Sequence, residues 1–103
     1  MSLLELKKGS PAQWQLSGEL TYASLSEDYK KLQAQRPGQG AWHLNCQGIK
    51  RIDSAGIAYL LDCVRYSQQQ KLCLRINRLP ELARNLMQAQ GVAELINPYL
   101  EQT

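Results

Sequence analysis

Residues 51–57 read Arg-Ile-Asp-Ser-Ala-Gly-Ile, placing an acid, a hydroxyl and a glycine immediately before an apolar run. Two chemistries fit Asp53 and Ser54. As a helix cap, either side chain accepts hydrogen bonds from the first backbone N–H groups, which lack partners inside the helix, at a gain of about 1 kcal/mol. As a displayed group, Ser54 offers a hydroxyl for recognition or phosphorylation at a helix end that favours negative charge. A cap accounts for the acid and the hydroxyl but not for Ala55 and Gly56, because glycine in the first turn costs about 1 kcal/mol relative to alanine. Small residues there leave room for another group to approach. A phosphoryl group on Ser54 would add about −1.5 to −2 charges to a helix end that tolerates them, beside an Asp53 that does not. On spacing alone, a plain cap and a recognition or phospho-acceptor site both stand.

Catalytic readings fail on particular residues. Ser54-Ala55-Gly56 matches the end of a GxSxG nucleophile elbow, and His43 with Asp53 could complete a triad on paper. Position 52, however, is Ile where the tight strand-to-helix turn requires Gly. His43 falls in a strand, on its wetter side. Gln39-Gly40 is not followed by the lysine of a phosphate-cradling loop. Glu19, Glu27, Asp28, Asp62, Glu81 and Glu94 are scattered, with Asp28 and Asp62 expected on solvated helix faces, so no convergent acid–base site is expected. Cys46, Cys63 and Cys73 are odd in number and lack CxxC spacing, and each sits within a regular segment. They read as reduced packing residues, with no metal site. The expectation is a non-enzyme without a cofactor.

A chain of 103 residues, 44% hydrophobic and 20% charged, supports one core, so 1–103 is expected to form a single domain. Its formal charge of +3 comes partly from separated pairs, Lys7-Lys8, Lys30-Lys31 and Lys50-Arg51, rather than from one basic face. Without interleaved aromatic residues, this argues against a nucleic-acid partner. The apolar stretch of the N-terminal MSLLELKK is too short for a secretion signal, and no later run reaches membrane-spanning length. A cytoplasmic location is expected.

The elements that must position Asp53 and Ser54 follow from periodicity. Leu3 to Lys7 and residues 12–17 read as paired strands joined by a turn at Gly9, Ser10 and Pro11. Tyr22, Leu25, Tyr29 and Leu32 recur at helical spacing up to the Pro37-Gly38 break, with Ser24 and Glu27 as a candidate capping box. Trp42, Leu44 and Cys46 alternate with polar residues, as do Leu72, Leu74 and Ile76, giving two further strands. Between them Ile57, Leu60, Leu61 and Val64 mark an amphipathic helix over about 55–69. A last helix starts at Pro80, with Leu79, Leu82, Ala83 and Leu86 inside and Gly91 as its C-terminal cap. Val92 to Ile96 could add a short strand or turn. The order β-β-α-β-α-β-α, with a right-handed crossover and alternating rather than continuously apolar strands, predicts a two-layer α/β domain. Its sheet is mixed, of four to five strands, with helices packed mainly on one face and a more polar face left open.

The run Ile52-Asp53-Ser54-Ala55-Gly56-Ile57, leading into Ala58-Tyr59-Leu60-Leu61, resembles the signature of the STAS domain, the anti-sigma-factor-antagonist fold. Leu16-Ser17-Gly18-Glu19-Leu20 is similar to a second block of that family, and the likeness extends to Gly91-Val92. In sporulation-type antagonists the hydroxyl after the aspartate is the phosphorylated one, and Ser54 matches it. In the stand-alone member accompanying the Mla-type phospholipid ABC transporter, this helix start contacts the ATPase subunit. The antagonist branch often carries an aspartate after Gly-Glu-Leu and a second serine after the acceptor, where this chain has Thr21 and Ala55. The Ala-Tyr-Leu-Leu continuation is closer to the transporter subunit. The resemblance therefore implies an accessory subunit of a phospholipid-transport ABC system that maintains outer-membrane lipid asymmetry. Such a subunit would meet the membrane only through its partner, at the inner face of the inner membrane. Asp53, Ser54, Ala55, Gly56 and Ile57 would form the partner surface, with Tyr59 and Tyr66 as anchors. The alternative is an antagonist that answers to an anti-sigma factor or serine kinase through phosphorylation of Ser54.

Overall fold

In a computed structural model, which describes residues 4–10 and 12–101, the alternating segments pair into one mixed five-stranded sheet. Strand β1 (Leu4–Ser10) runs antiparallel to β2 (Gln13–Leu20), with Leu6 opposite Leu16. Leu3 and Pro11, expected in the first strand and its turn, lie outside the described residues. Helix α1 (Tyr22–Ala34) follows, then β3 (Ala41–Asn45), β4 (Ile49–Ile52), α2 (Ser54–Gln70), β5 (Cys73–Asn77), α3 (Glu81–Ala89), the single-turn α4 (Ala93–Ile96) and a 3₁₀ turn at Asn97–Tyr99. Two-residue periodicity sends Leu4, Leu6, Leu16, Trp42, Leu44, Leu74 and Ile76 to one face, where all are buried. Glu5, Lys7, Gln15, Cys73 and Arg75 point to the other, which stays open. This is the expected two-layer arrangement.

Strand β2 carries two parallel neighbours along one side. Its first half, Gln13–Gln15, pairs with His43–Asn45 of β3, and its second half, Gly18–Leu20, pairs with Ile49–Ile52 of β4. Strand β5 lies parallel to β3 in the register Ala41↔Cys73 to Asn45↔Asn77. Strand β4 was not expected. With Lys50 and Arg51 both exposed between buried Ile49 and Ile52, its four residues break the alternation by which strands are recognised. It is nonetheless the element that delivers Asp53 to the top of the sheet.

Three other expectations are corrected and one open alternative is decided. The N-cap of α1 is Thr21, and Ser24 faces back to it rather than forward to Glu27: the Ser24 hydroxyl accepts from the Thr21 N–H at 3.2 Å and lies 3.1 Å from the Thr21 hydroxyl. On α3 Ala83 and Met87 are buried and Leu86 packs against the core as expected, whereas Leu82 is 55% exposed. Residues 93–96 form a helical turn, not a strand, after Gly91 (φ +72°) closes α3: the Gly91 N–H reaches Gln88 O and the Val92 N–H reaches Met87 O. Cys46 and Cys63 are buried, and burial pushes the Cys63 thiol up to about 12, but Cys73 is exposed on the open face. All three are free thiols.

Helices α1 and α2 lie side by side, and a buried cation joins them. Arg36, just past the end of α1, places Nη2 2.6 Å from Oδ2 of Asp62 on α2, and the Tyr29 hydroxyl donates to the same oxygen at 2.8 Å. The guanidinium sits 4.8 Å from the Tyr66 ring centroid and 5.7 Å from that of Tyr59. Asp62 is therefore not a solvated helix residue. Burial pushes its carboxyl up, but the hydrogen bonds from Arg36 and Tyr29 and the Arg36 charge outweigh burial and hold it below the usual carboxylate range.

Candidate functional site

The site forms where β2 and β4 end and two helices begin. Asp53 is the N-cap of α2, in extended conformation, with Oδ1 accepting from the N–H groups of Ala55 at 3.0 Å and Gly56 at 3.2 Å. Its second oxygen does something the spacing of the motif cannot reveal. Asp53 Oδ2 accepts from the Tyr22 N–H, the first residue of α1, at 3.0 Å. One carboxylate thus satisfies N–H groups at the ends of two helices and places its negative charge against both positive ends. The Asp53 N–H donates to Leu20 O at 3.3 Å, tying the same residue to the end of β2.

Ser54, the first residue of α2, is exposed, and its hydroxyl oxygen accepts from the Gln90 side-chain amide at 2.8 Å. The contact joins the end of α3 to the start of α2. Neither Gln90 nor Tyr22 was picked out as a site residue from the sequence. Tyr22, 73% exposed, is held by Asp53 beside this corner. An aromatic at the first position of a helix carries no mark of exposure in one dimension; only the convergence of α1 with α2 brings it to the site.

The remaining expected surface residues are not displayed. Gly56 is buried, and an added Cβ would run into the Leu20 carbonyl oxygen and come within 2.7 Å of Ile52 Cγ1. The room left by this glycine is filled by the chain's own β2, and the cost of glycine in the helix is the cost of packing α2 closely onto the sheet. Ile57 is wholly buried and Tyr59 is 3% exposed, its ring edge-on to Tyr29 at 6.5 Å. Tyr66 donates its hydroxyl to Pro37 O at 2.9 Å and meets the Trp42 ring edge-on at 6.1 Å. Tyr59 is committed to the interior, while Tyr66 is partly buried with its hydroxyl engaged by the chain's own backbone. Ala55 is half-buried, which leaves Ser54 as the exposed member of the five-residue motif.

No triad assembles. His43 lies on β3 with Nδ1 3.1 Å from the Gln13 amide, while both Asp53 oxygens are engaged by backbone. Among the described residues no cluster of His, Cys, Asp or Glu could hold a metal ion, and no helix is long and apolar enough to cross a membrane.

The mixed sheet, the helices on one face and the Asp-Ser corner define a STAS-type domain. The solved structure of an anti-sigma factor antagonist, SpoIIAA in its unphosphorylated form, superposes with a TM-score of 0.66 over 97% of this chain and 87% of that one, at 14% sequence identity. The likeness is one of fold. The STAS_2 family, described as "Mlab, STAS domain", matches residues 5–97, and the chain belongs to that family. No match is found among curated proteins.

Proposed function

We propose that the chain is a non-catalytic accessory subunit that docks on the ATPase of a phospholipid-transport ABC system, through a surface centred on Ser54 and flanked by Tyr22 and Gln90. Membership of the Mlab-type family supports this partner, as does the resemblance noted at the start of α2. The observation that carries the reading is the use of Asp53. Its carboxylate occupies the N–H groups of Ala55, Gly56 and Tyr22 and so fastens the starts of both helices together around Ser54. Ser54 is then a small exposed contact point on a braced corner. The interface is expected to bury on the order of 1,600 Å² in total, with Tyr22 as its aromatic anchor in place of Tyr59 and Tyr66.

The test is co-purification of the tagged chain with the transporter ATPase. Ser54→Arg places a long charged side chain on the exposed corner; it abolishes the complex while leaving circular dichroism and thermal unfolding as in the parent. Undiminished binding by a folded Ser54→Arg chain refutes the surface. The exposure of Ser54 also favours the antagonist reading. That reading requires a single added phosphoryl group, lost in Ser54→Ala, in the intact mass after treatment with the partner kinase.

A further inference from the structure

The two strands that end the order β1-β2-β3-β5 are treated differently, β4 lying off that path beside β2. Strand β5 is covered on its outer side by the C-terminal segment: Leu100 forms a parallel bridge with Ile76, and the Glu101 N–H donates to Ile76 O at 2.8 Å. Strand β1 ends the strand order at the other side and pairs only with β2. Its outer row of N–H and C=O groups has no strand partner among the described residues. A groove of about 260 Å³ lies between β1 and α1, lined by Glu5, Leu6, Lys7, Lys31 and Gln35. An unpaired edge of this kind is a template for another strand.

From this edge we infer that β1 pairs with β1 of a second copy, antiparallel and about a two-fold axis at Leu6, to form a continuous ten-stranded sheet. The charges select both partner and register. Antiparallel self-pairing must keep Leu4 and Leu6 on the helix-covered face, so only registers that pair residues of like orientation are allowed. An axis at Glu5 opposes Glu5 to its own copy, and an axis at Lys7 opposes Lys7 to its own copy. The axis at Leu6 sets Glu5 against the second copy's Lys7 and repeats the pair by symmetry, so each interface gains two opposite-charge pairs on the exposed face. On the other face Leu6 meets Leu6, and Leu4 lies opposite the aliphatic stem of Lys8. A seven-residue edge is short, which makes this a weak, reversible dimer carrying two Ser54 corners.

Sedimentation velocity over a concentration series tests the inference with four chains: the parent, Glu5→Lys, Lys7→Glu and the double exchange Glu5→Lys/Lys7→Glu. Glu5 and Lys7 are exposed, and circular dichroism verifies that each variant folds. The parent dimerises, and each single reversal sets like charges opposite one another twice and raises the dissociation constant about tenfold or more. The double exchange rebuilds both pairs and returns the constant to near the parent value. A parent that stays monomeric up to about 1 mM, the weak limit of useful association, overturns the inference. So do dimers that the single reversals leave unchanged, or a double exchange that fails to restore pairing.

Discussion

Asp53 gives the most direct test of how the corner is built, because its two oxygens have separable partners. Replacement by Ala removes the cap of α2, worth about 1 kcal/mol. It also removes the charge-assisted hydrogen bond to the Tyr22 N–H, worth about 1.5 kcal/mol. Loss of the negative charge between two helix N-termini adds about 0.5 kcal/mol. The expected loss for Asp53→Ala is therefore about 3 kcal/mol, or a fall in Tm of roughly 10–20 °C for a domain of this size. Asp53→Asn divides the effect. Its amide oxygen can still cap Ala55 and Gly56, but its NH₂ then faces the Tyr22 N–H, donor against donor, so Asn keeps the α2 term and loses the rest, about 2 kcal/mol. Asp53→Ser likewise keeps the α2 cap and is too short to reach Tyr22. Urea unfolding monitored by circular dichroism gives all three differences at constant m-value. The order Ala worst, then Asn and Ser together, is the signature of a carboxylate shared between helices. If Asn matches the parent, the bond to Tyr22 contributes nothing and Asp53 is an ordinary cap.

Two further outcomes follow from the packing. Helix propensity alone has Gly56→Ala stabilising by about 1 kcal/mol, but the new Cβ meets the Leu20 backbone carbonyl, so overpacking decides the sign and the variant loses roughly 1–3 kcal/mol in the same urea assay; a stabilised variant refutes the close approach. Asp62→Asn leaves the Arg36 guanidinium, with 4% of its side chain exposed, short of its counter-charge and costs about 2 kcal/mol at neutral pH after discounting for the partial exposure of Asp62. Because the folded-state pKa of Asp62 is depressed, its contribution is present in full above the unfolded-state value of about 3.9 and is lost as pH falls through the lower folded value. The stability gap between parent and Asp62→Asn should thus be flat near neutrality and close below about pH 4; a gap unchanged at acid pH refutes the ion pair.

Much of this architecture is legible in one dimension, and the gaps have physical causes. Alternation in Trp42–Cys46 and Leu72–Ile76 and the 3.6-residue repeat in Ile57–Val64 locate β3, β5 and α2, because each has one buried and one wet face. β4 is invisible because Lys50 and Arg51 are both exposed and the strand is four residues long. Tyr59 and Tyr66 look like display residues because they lie across the helix from Ile57, Leu60, Leu61 and Val64; whether that side is covered depends on the neighbouring elements, and α1 with the Arg36 loop packs against this one. The partner of Gly56 is Leu20 and that of Asp53 is Tyr22, both more than thirty positions away. Local pattern thus finds the motif but not which of its members the fold buries.

Which members are buried explains why the motif holds its particular residues. Asp53 and Gly56 face inward, one fastening α1 to α2 and the other letting α2 settle against β2, and only Ser54 between them is left exposed. The same pair of helices is fastened again further along by Arg36, Asp62 and Tyr29. Two separated ties prevent α1 and α2 from sliding or splaying independently, so Tyr22 and Ser54 keep a fixed spacing in the free protein. A surface ordered before the encounter does not have to be ordered during it, and the conformational entropy lost on association is correspondingly smaller. Weakening either tie should therefore loosen partner binding even though neither Asp53 nor Asp62 need touch the partner. Asp62→Asn, remote from the corner, separates this effect from direct contact: slower association with dissociation unchanged marks lost pre-organisation, whereas unaltered kinetics in a folded variant show that the corner alone sets the surface.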